Sequence, residues 1–319
     1  MFSQEEKTLL MAIQYEFPLT ENPFYDLSTN TGLPLEFVIA KVKMFRGSGV
    51  IKRIGANLNY KAFRMVSKAA LVGASVPENR IEEVSKMINR TRPKHNFWRT
   101  HENYNVWFTF KARTEDEVIA QVKELMKTCN VCDYVILPTK RVYKMDVKYD
   151  LFKGISWSNK GIEPETIPFV DELGLDSKML KELENLEVKE RPFMQFAENG
   201  YSESEIVELI AELIKKGVVR DFSGVLSERR IGINENGMTI IKPEGSAEEV
   251  ALRLLNDLPQ ITHLIVRNVP ENWEYPVYFM MHASSKSQIE ETREKVLGYD
   301  NVADVKILYS KMDLKDFGV

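Results

Sequence analysis

Residues 32–52 read GLPLEFVIAKVKMFRGSGVIK, and residues 200–220 read GYSESEIVELIAELIKKGVVR. In each, a glycine precedes an amphipathic helical pattern, Leu35–Arg46 and Glu203–Lys216, and a second glycine follows it. A short apolar strand then begins, Gly49-Val50-Ile51-Lys52 in one and Gly217-Val218-Val219-Arg220 in the other. The separation is 168 residues, and the same offset carries His95 onto His263 and Arg99 onto Arg267. Three inserted residues later bring Tyr104-Asn105-Val106-Trp107-Phe108 onto Tyr275-Pro276-Val277-Tyr278-Phe279. Upstream, Pro23-Phe24 matches Pro192-Phe193 with a slip of one. An offset maintained over most of a copy marks an internal duplication.

The copies read alike outward from these stretches. A first helix, about 3–16 and about 176–187, leads through the Pro-Phe loop to a short second helix, and a strand pair after the third helix makes a wing. Copy 1 continues with strands near Val66–Val76, Asn96–His101, Tyr104–Ala112 and Asp133–Leu137 and helices near Glu78–Asn89 and Glu115–Thr128. Copy 2 has strands near Met238–Lys242, Thr262–Asn268, Val277–Ala283 and Val302–Leu308 and helices near Ala247–Asp257 and Ser287–Leu297. Strand-helix-strand-strand-helix-strand is the ferredoxin-like arrangement, one sheet covered on one face by two helices. The fold class expected is therefore α+β, a tandem repeat of a winged helix-turn-helix plus a ferredoxin-like domain forming an internal pseudo-dimer. The boundaries are 1–62 and 63–148 for copy 1, a linker at 149–170, and 171–232 and 233–319 for copy 2. The linker assignment rests on Gly154, Gly161, Pro164 and Pro168 among polar residues.

Apolar residues at 44% and charged residues at 28% describe an ordinary globular chain of 319 residues. No apolar run reaches the length of a membrane span, and MFSQEEKTLL shows no secretory signal, so a cytoplasmic location is expected. Residues 1–150 carry 23 Lys and Arg against 17 Asp and Glu, a balance of +6, whereas residues 151–319 carry 20 against 30, or −10. Halves of opposite sign suit mutual packing and not a uniformly basic DNA-binding surface.

A winged helix raises the possibility of a regulator. The third helix of copy 1 offers Lys41, Lys43 and Arg46, but that of copy 2 offers Glu203, Glu205, Glu208 and Glu212, with Lys215 and Lys216 only at its end. Carboxylates repel phosphates, and a two-fold reader needs two competent helices, so no DNA partner is expected.

Chemistry concentrates elsewhere. In a strand, residues i and i+4 share a face, so His95 with Arg99 and His263 with Arg267 project together. Two of the four histidines thus occupy equivalent positions beside an equivalent arginine. A strand histidine is ordinarily structural, but the repetition with arginine favours a site for an anionic substrate that must receive a proton. The next strands, Tyr104 to Phe110 and Trp273 to Met281 ending at His282, are apolar on both faces, Trp107 and Tyr278 alternating with Phe108 and Phe279. Such a sheet needs cover on both sides, by core or by a flat apolar ligand. Cys129-Asn130-Val131-Cys132 has no second pair and no counterpart in copy 2, so it is read as structural. With no phosphate loop, zinc cluster or nucleophile elbow, no bound cofactor and no metal are expected.

These residues resemble the Lrp/AsnC architecture and, more narrowly, the siroheme decarboxylases that share it, with two homologous subunits fused. The resemblance rests in copy 1 on Lys52-Arg53-Ile54-Gly55-Ala56, His95-Asn96-Phe97-Trp98-Arg99 and Tyr104 to Thr109. In copy 2 it rests on Arg191-Pro192-Phe193, Arg229-Arg230-Ile231-Gly232, Asn236-Gly237-Met238, His263, Trp273-Glu274-Tyr275-Pro276 and Phe279-Met280-Met281-His282. Copy 2 departs from the pattern at Asp221-Phe222-Ser223-Gly224 and at Leu264-Ile265-Val266. The resemblance implies a tetrapyrrole substrate, siroheme, losing two acetate carboxyls at ring positions 12 and 18 on a route to haem or haem d1. It implies His95 and His263 as proton donors with Tyr104 and Tyr275 as helpers. Arg53, Arg99, Arg230 and Arg267 would hold carboxylates, Trp107 would line the site, and His282 would contact substrate, as a proton donor or an axial iron ligand. The substrate is expected between the duplicated sheets, with haem or another iron tetrapyrrole as an occasional bound group and further homo-oligomerisation open. A regulator sensing a small effector or haem, and an inactive tetrapyrrole carrier, are the alternatives.

Overall fold

The computed structural model describes residues 2–64, 68–162 and 164–318. Copy 1 runs α1 (Gln4–Tyr15), α2 (Pro23–Thr31), α3 (Leu35–Gly47), β1 (Ile51–Leu58), β2 (Lys68–Ala74), α4 (Ile81–Asn89), β3 (Asn96–Arg99), β4 (Val106–Ala112), α5 (Glu115–Thr128) and β5 (Tyr134–Met145). The connection contributes β6 (Tyr149–Asp150) and β7 (Ile155–Ser156). Copy 2 runs α6 (Ser177–Glu182), a 3-10 turn (Pro192–Asn199), α7 (Glu203–Lys215), β8 (Val219–Leu226), β9 (Glu235–Pro243), α8 (Ala247–Asp257), β10 (His263–Arg267), β11 (Val277–Ala283), α9 (Lys286–Leu297) and β12 (Val302–Asp313). Capping boxes start α1 (Ser3 with Glu6) and α7 (Ser202 with Glu205), and left-handed Gly32 and Gly200 end the segments before α3 and α7. Val66, where the first strand of the copy 1 sheet was expected to open, lies outside the described residues.

The chain sorts by domain type. One compact unit takes the described residues of Met1–Val66, Val147–Ile155 and Pro164–Ile233, which include both winged-helix regions. Its core joins Leu9, Ile13, Phe24 and Val38 of copy 1 to Phe193, Ile206 and Ile210 of copy 2. The expected wing, a strand pair within each copy, is corrected: β1 pairs antiparallel with β8, so each copy gives one strand to a shared ribbon. After β1 the chain enters a 3-10 turn at Tyr60–Phe63 and does not return as a hairpin. Gly55 is required in β1, since a Cβ there would lie 2.2 Å from the Leu183 carbonyl oxygen. The opposite charges of the two halves meet here, in Lys52–Glu228 (3.0 Å), Lys148–Asp221 (2.9 Å) and Arg64–Asp171 (2.6 Å).

The second unit takes the described residues of Ser67–Asp146, Ser156–Glu163 and Asn234–Val319, hence both ferredoxin-like regions. Eight strands follow one another in the order β10-β5-β2-β4-β3-β12-β9-β11, and β11 pairs back with β10 to close the ring. The last strands were expected to end at Leu137 and Leu308; they run on to Met145 and Asp313. Pro138 and the polar residues after it interrupt the alternation, but the extensions pair with the other copy, β5 with β10 and β12 with β3. The connection, assigned as a linker by its composition, is packed in part: Ser156 is fully buried and Ser158 nearly so.

Helices cover the outside of the ring, with Val72, Val106 and Phe108 packing against Val84, Ile88, Val118 and Val122 in copy 1. The inside corrects another expectation. In place of a flat ligand between the sheets, the protein's own side chains fill the space: Leu71, Trp107 and Leu137 of copy 1 with Met238, Ile240, Trp273, Tyr278 and Leu308 of copy 2. Trp107 lies so close on β2 that a Cβ at Gly73 would stand 2.8 Å from its ring.

Candidate active site

At one end of the ring stands His95, just before β3. Its backbone pairs with Thr109, the amide donating to Oγ1 (3.1 Å) and the carbonyl accepting from the Thr109 amide (3.0 Å). The imidazole stacks on Phe97 at 6.0 Å. His95 is exposed by surface area, yet the groups packed around it partly desolvate its ring. That desolvation, and then the charges of Lys94, Lys315, Arg99 and Lys111, lower its pKa to about 4. The ring is therefore neutral at neutral pH in the free chain.

Arg99 points inward. It is 5% exposed, its guanidinium donates to the Leu308 carbonyl of β12 (3.0 Å) and lies over Phe97 (4.9 Å). Arg267 mirrors it: 8% exposed, donating to the Leu137 carbonyl (3.2 Å) and Thr139 Oγ1 (3.3 Å) of β5, over Tyr278 (4.9 Å). Burial lowers both to about 10, which leaves them charged at neutral pH. Each arginine ties its copy to the last strand of the other.

His263 opens β10 opposite Met280, the register His95 has with Thr109, and its Nδ1 lies 3.1 Å from Thr262 Oγ1. His282 is 9% exposed, and its backbone amide donates to Ser156 Oγ of the connection (3.0 Å).

Tyr104, Trp107 and Tyr275 meet at the other end of β3, apart from His95. Trp273 joins them, 5.7 Å from Tyr104, 6.0 Å from Trp107 and 5.6 Å from Tyr275. Trp107 is 1% exposed, and its Nε1 donates to the Tyr104 carbonyl (2.8 Å). The Tyr275 hydroxyl donates to Asp304 (2.6 Å), and Tyr104 has the equivalent partner in Asp133, so burial and these carboxylates raise both phenols. The imidazole in this cluster is His101, which sequence reasoning passed over. It lies parallel to Tyr104 at 5.8 Å, and its Nδ1 accepts from the amides of Asn103 (3.2 Å) and Tyr104 (3.1 Å). Two donors on Nδ1 leave the proton of the neutral ring on Nε2. Burial, then Lys306, lowers its pKa. The signal available was the spacing of His101 before an aromatic-rich strand. Beside it a groove of about 660 Å³ is lined by Glu102, Glu290, Asp304, Arg293, Lys306 and Tyr309 among others.

Arg53 and Arg230 belong to the winged-helix unit. Arg53 donates to the carbonyls of Ala56 (2.9 Å) and Glu184 (3.2 Å) and to Asn57, while Arg230 is exposed beside Gly49. The acidic α7 is likewise partly reassigned: Glu203 is 8% exposed and paired with Arg191, Glu205 caps the helix, and Glu212 pairs with Lys216. Among the described residues no three His, Cys, Asp or Glu are grouped to hold a metal ion, and no helix is long and apolar enough to cross a membrane.

Comparison with known proteins bears on both units. The model of a siroheme decarboxylase NirDL-like HTH domain matches residues 6–52. A siroheme decarboxylase of Hydrogenobacter thermophilus is 26% identical over 312 residues, 96% of this chain and 92% of the relative. A siroheme decarboxylase NirDL subunit of Paracoccus denitrificans is 23% identical over 95% of this chain and 92% of its own length. A siroheme decarboxylase alpha subunit of Oleidesulfovibrio alaskensis is 30% identical over 46% of this chain and 88% of its own length, as a single copy would be. The crystal structure of the siroheme decarboxylase NirDL superposes with a TM-score of 0.64 at 23% identity, covering 98% of this chain and 92% of that one; a second structure of it holds an iron-uroporphyrin III analogue. The AsnC-like ligand binding domain model matches residues 66–144 and 230–315, more than half of the chain, and the chain belongs to that family, carrying two copies of the domain in one polypeptide.

Proposed function

We propose that the chain is a siroheme decarboxylase in which two subunit-like copies are fused. The observation that carries this reading is the match to siroheme decarboxylases along both copies, with paired histidines and arginines at equivalent places. Each event replaces a carboxylate on a ring acetate by hydrogen, so one proton is taken up and one carbon dioxide leaves. Two events, at ring positions 12 and 18, convert siroheme to 12,18-didecarboxysiroheme, which serves the making of haem or haem d1. The macrocycle accepts the electron pair released with each carbon dioxide, and a protein group must deliver the proton.

His95 is the first candidate for that delivery. It is neutral in the free chain, but carboxylates docked beside it would offset the surrounding cations and raise its proton affinity on binding. His101, with its proton on Nε2, Tyr104 parallel to its ring and Trp273 5.5 Å away, is the second. In the regulator reading the basic residues of α3 should be available to phosphates, yet Lys41 pairs with Glu6 (2.8 Å) and Arg46 donates to Asn185 (2.6 Å).

The test is anaerobic incubation with siroheme, followed by absorbance and product mass. Loss of two carbon dioxide masses is expected. A spectral shift with no change of mass identifies a carrier, and no response at all ends the reading. Replacing His95 and His263 by Ala, singly and together, apportions the proton delivery; undiminished turnover in the double variant removes both.

A further inference from the structure

The duplication makes one end of the ring a control for the other. Three positions surround the strand-opening histidine of each copy. By the offsets of the repeat, Lys94, Lys111 and Lys315 around His95 correspond to Thr262, His282 and Lys144 around His263. The backbone register agrees, since His95 faces Thr109 and His263 faces the equivalent Met280.

The surroundings differ throughout. Lys94, Lys111 and Lys315 are all exposed. Thr262 is 1%, His282 9% and Lys144 1% exposed. The connection between the copies meets the second set at His282 and Lys144, while Thr262 Oγ1 donates to the Met280 carbonyl of β11 (3.1 Å). Ser156 Oγ donates to the Gln260 carbonyl (2.6 Å) and accepts from the His282 amide (3.0 Å). The Ser158 amide donates to the Pro259 carbonyl (2.7 Å), and its own carbonyl accepts from Lys144 Nζ (2.6 Å). At the His95 end Lys315 Nζ instead reaches the Lys94 backbone carbonyl at the surface (3.2 Å), which places the Lys315 side chain beside the segment that carries Lys94 and His95.

We infer that the chain has one docking site for the peripheral carboxylates of a polyacidic tetrapyrrole, formed by Lys94, Lys111 and Lys315 around His95, and that the equivalent place in copy 2 is closed by its own connection. The inference rests on the proposed activity for its choice of ligand and adds where, and how many times, the ligand docks. Charge favours this end over the groove at His101, whose lining holds Glu102, Glu290 and Asp304 against Arg293 and Lys306. A ligand with eight carboxylates gains from three adjacent ammonium groups and loses in a groove with more acids than bases.

The experiment is equilibrium titration of the full chain with iron-free uroporphyrin, an octacarboxylate, followed by its fluorescence over a series of salt concentrations. One site per chain is expected, weakening as salt rises. The triple variant K94E/K111E/K315E should bind about tenfold more weakly or worse, as loss of three surface ion pairs implies, with a flatter salt dependence. The variant K43E/K123E/K127E makes the same change of net charge at exposed lysines elsewhere and should bind like the parent. Equal weakening in both variants, two sites per chain, or no binding by the parent overturns the inference. Binding that follows the expected pattern without turnover of siroheme would leave the docking site standing and sink the proposed activity.

Discussion

Replacing Arg99 by Met tests whether this arginine serves the fold or the substrate. The family resemblance implies a carboxylate clamp here, but the guanidinium is 5% exposed and spends its bond on the Leu308 carbonyl of the other copy. A hydrogen bond to a charged group contributes roughly 1.5–3 kcal/mol, and the cation over Phe97 about 1 kcal/mol more. Relief of burying the guanidinium offsets part of this, while methionine keeps most of the packing, so a net loss of about 2 kcal/mol is expected. All four tryptophans, at 98, 107, 157 and 273, lie in the unit that contains Arg99, so tryptophan emission reports its unfolding selectively. With a urea dependence of roughly 2 kcal/mol per molar, the midpoint should fall by about 1 M. Arg267→Met should shift it similarly, through the loss of its bonds to Leu137 and Thr139. Turnover per folded molecule should hold. Were R99M to lose turnover while its urea midpoint stayed with the parent, the guanidinium would be acting on substrate and the reasoning would be wrong.

Gly73→Ala places a methyl group 2.8 Å from the Trp107 ring, and overpacking of this kind costs about 1–3 kcal/mol, readable as a lower Tm in calorimetry. Because the folded pKa of His95 lies at about 4 against 6.5 for the free imidazole, the unfolded chain binds the extra proton in that interval. Stability should therefore fall as pH drops through that window, and H95Q should flatten the fall; an unchanged pH profile in H95Q would mean that other groups set it. Cys132→Ser, at an exposed position beside the buried Cys129, should change neither turnover nor stability, and a loss of turnover there would reopen the Cys-x-x-Cys pair as functional.

Much of this architecture could be read from residue spacing. The offset of 168 fixed which residues are equivalent, and β11 and α8 have the bounds that alternation and helical periodicity predict. Local patterns failed where the partner was remote. β5 continues to Met145 because β10, more than a hundred residues later, supplies the pairing that Pro138-Thr139-Lys140-Arg141 does not advertise. The wings failed in the same way, since β1 finds β8 and not a neighbour. A two-sided apolar strand said that both faces would be covered, but not whether ligand or protein would do it; Trp107 and Tyr278 turned out to share one core built from both copies.

The site residues divide on the same principle. That His95 and Arg99 share a face follows from strand geometry, and they do; depth does not follow, because Arg99 is sealed by β12 and His95 is not. His95 and Tyr104 are close in sequence, yet β3 runs between them and delivers them to opposite ends of the ring, whereas Tyr104 and Tyr275, far apart in the chain, are bridged by Trp273. Duplication doubles a set of side chains without doubling their access to a ligand. Copy 2 keeps the histidine and the arginine, and a connection that begins after its neighbour's last strand decides that Lys144 is buried where Lys315 is not. In a pair of separate subunits that connection would be a chain end, so fusing the copies is itself the step that can make their two ends unequal.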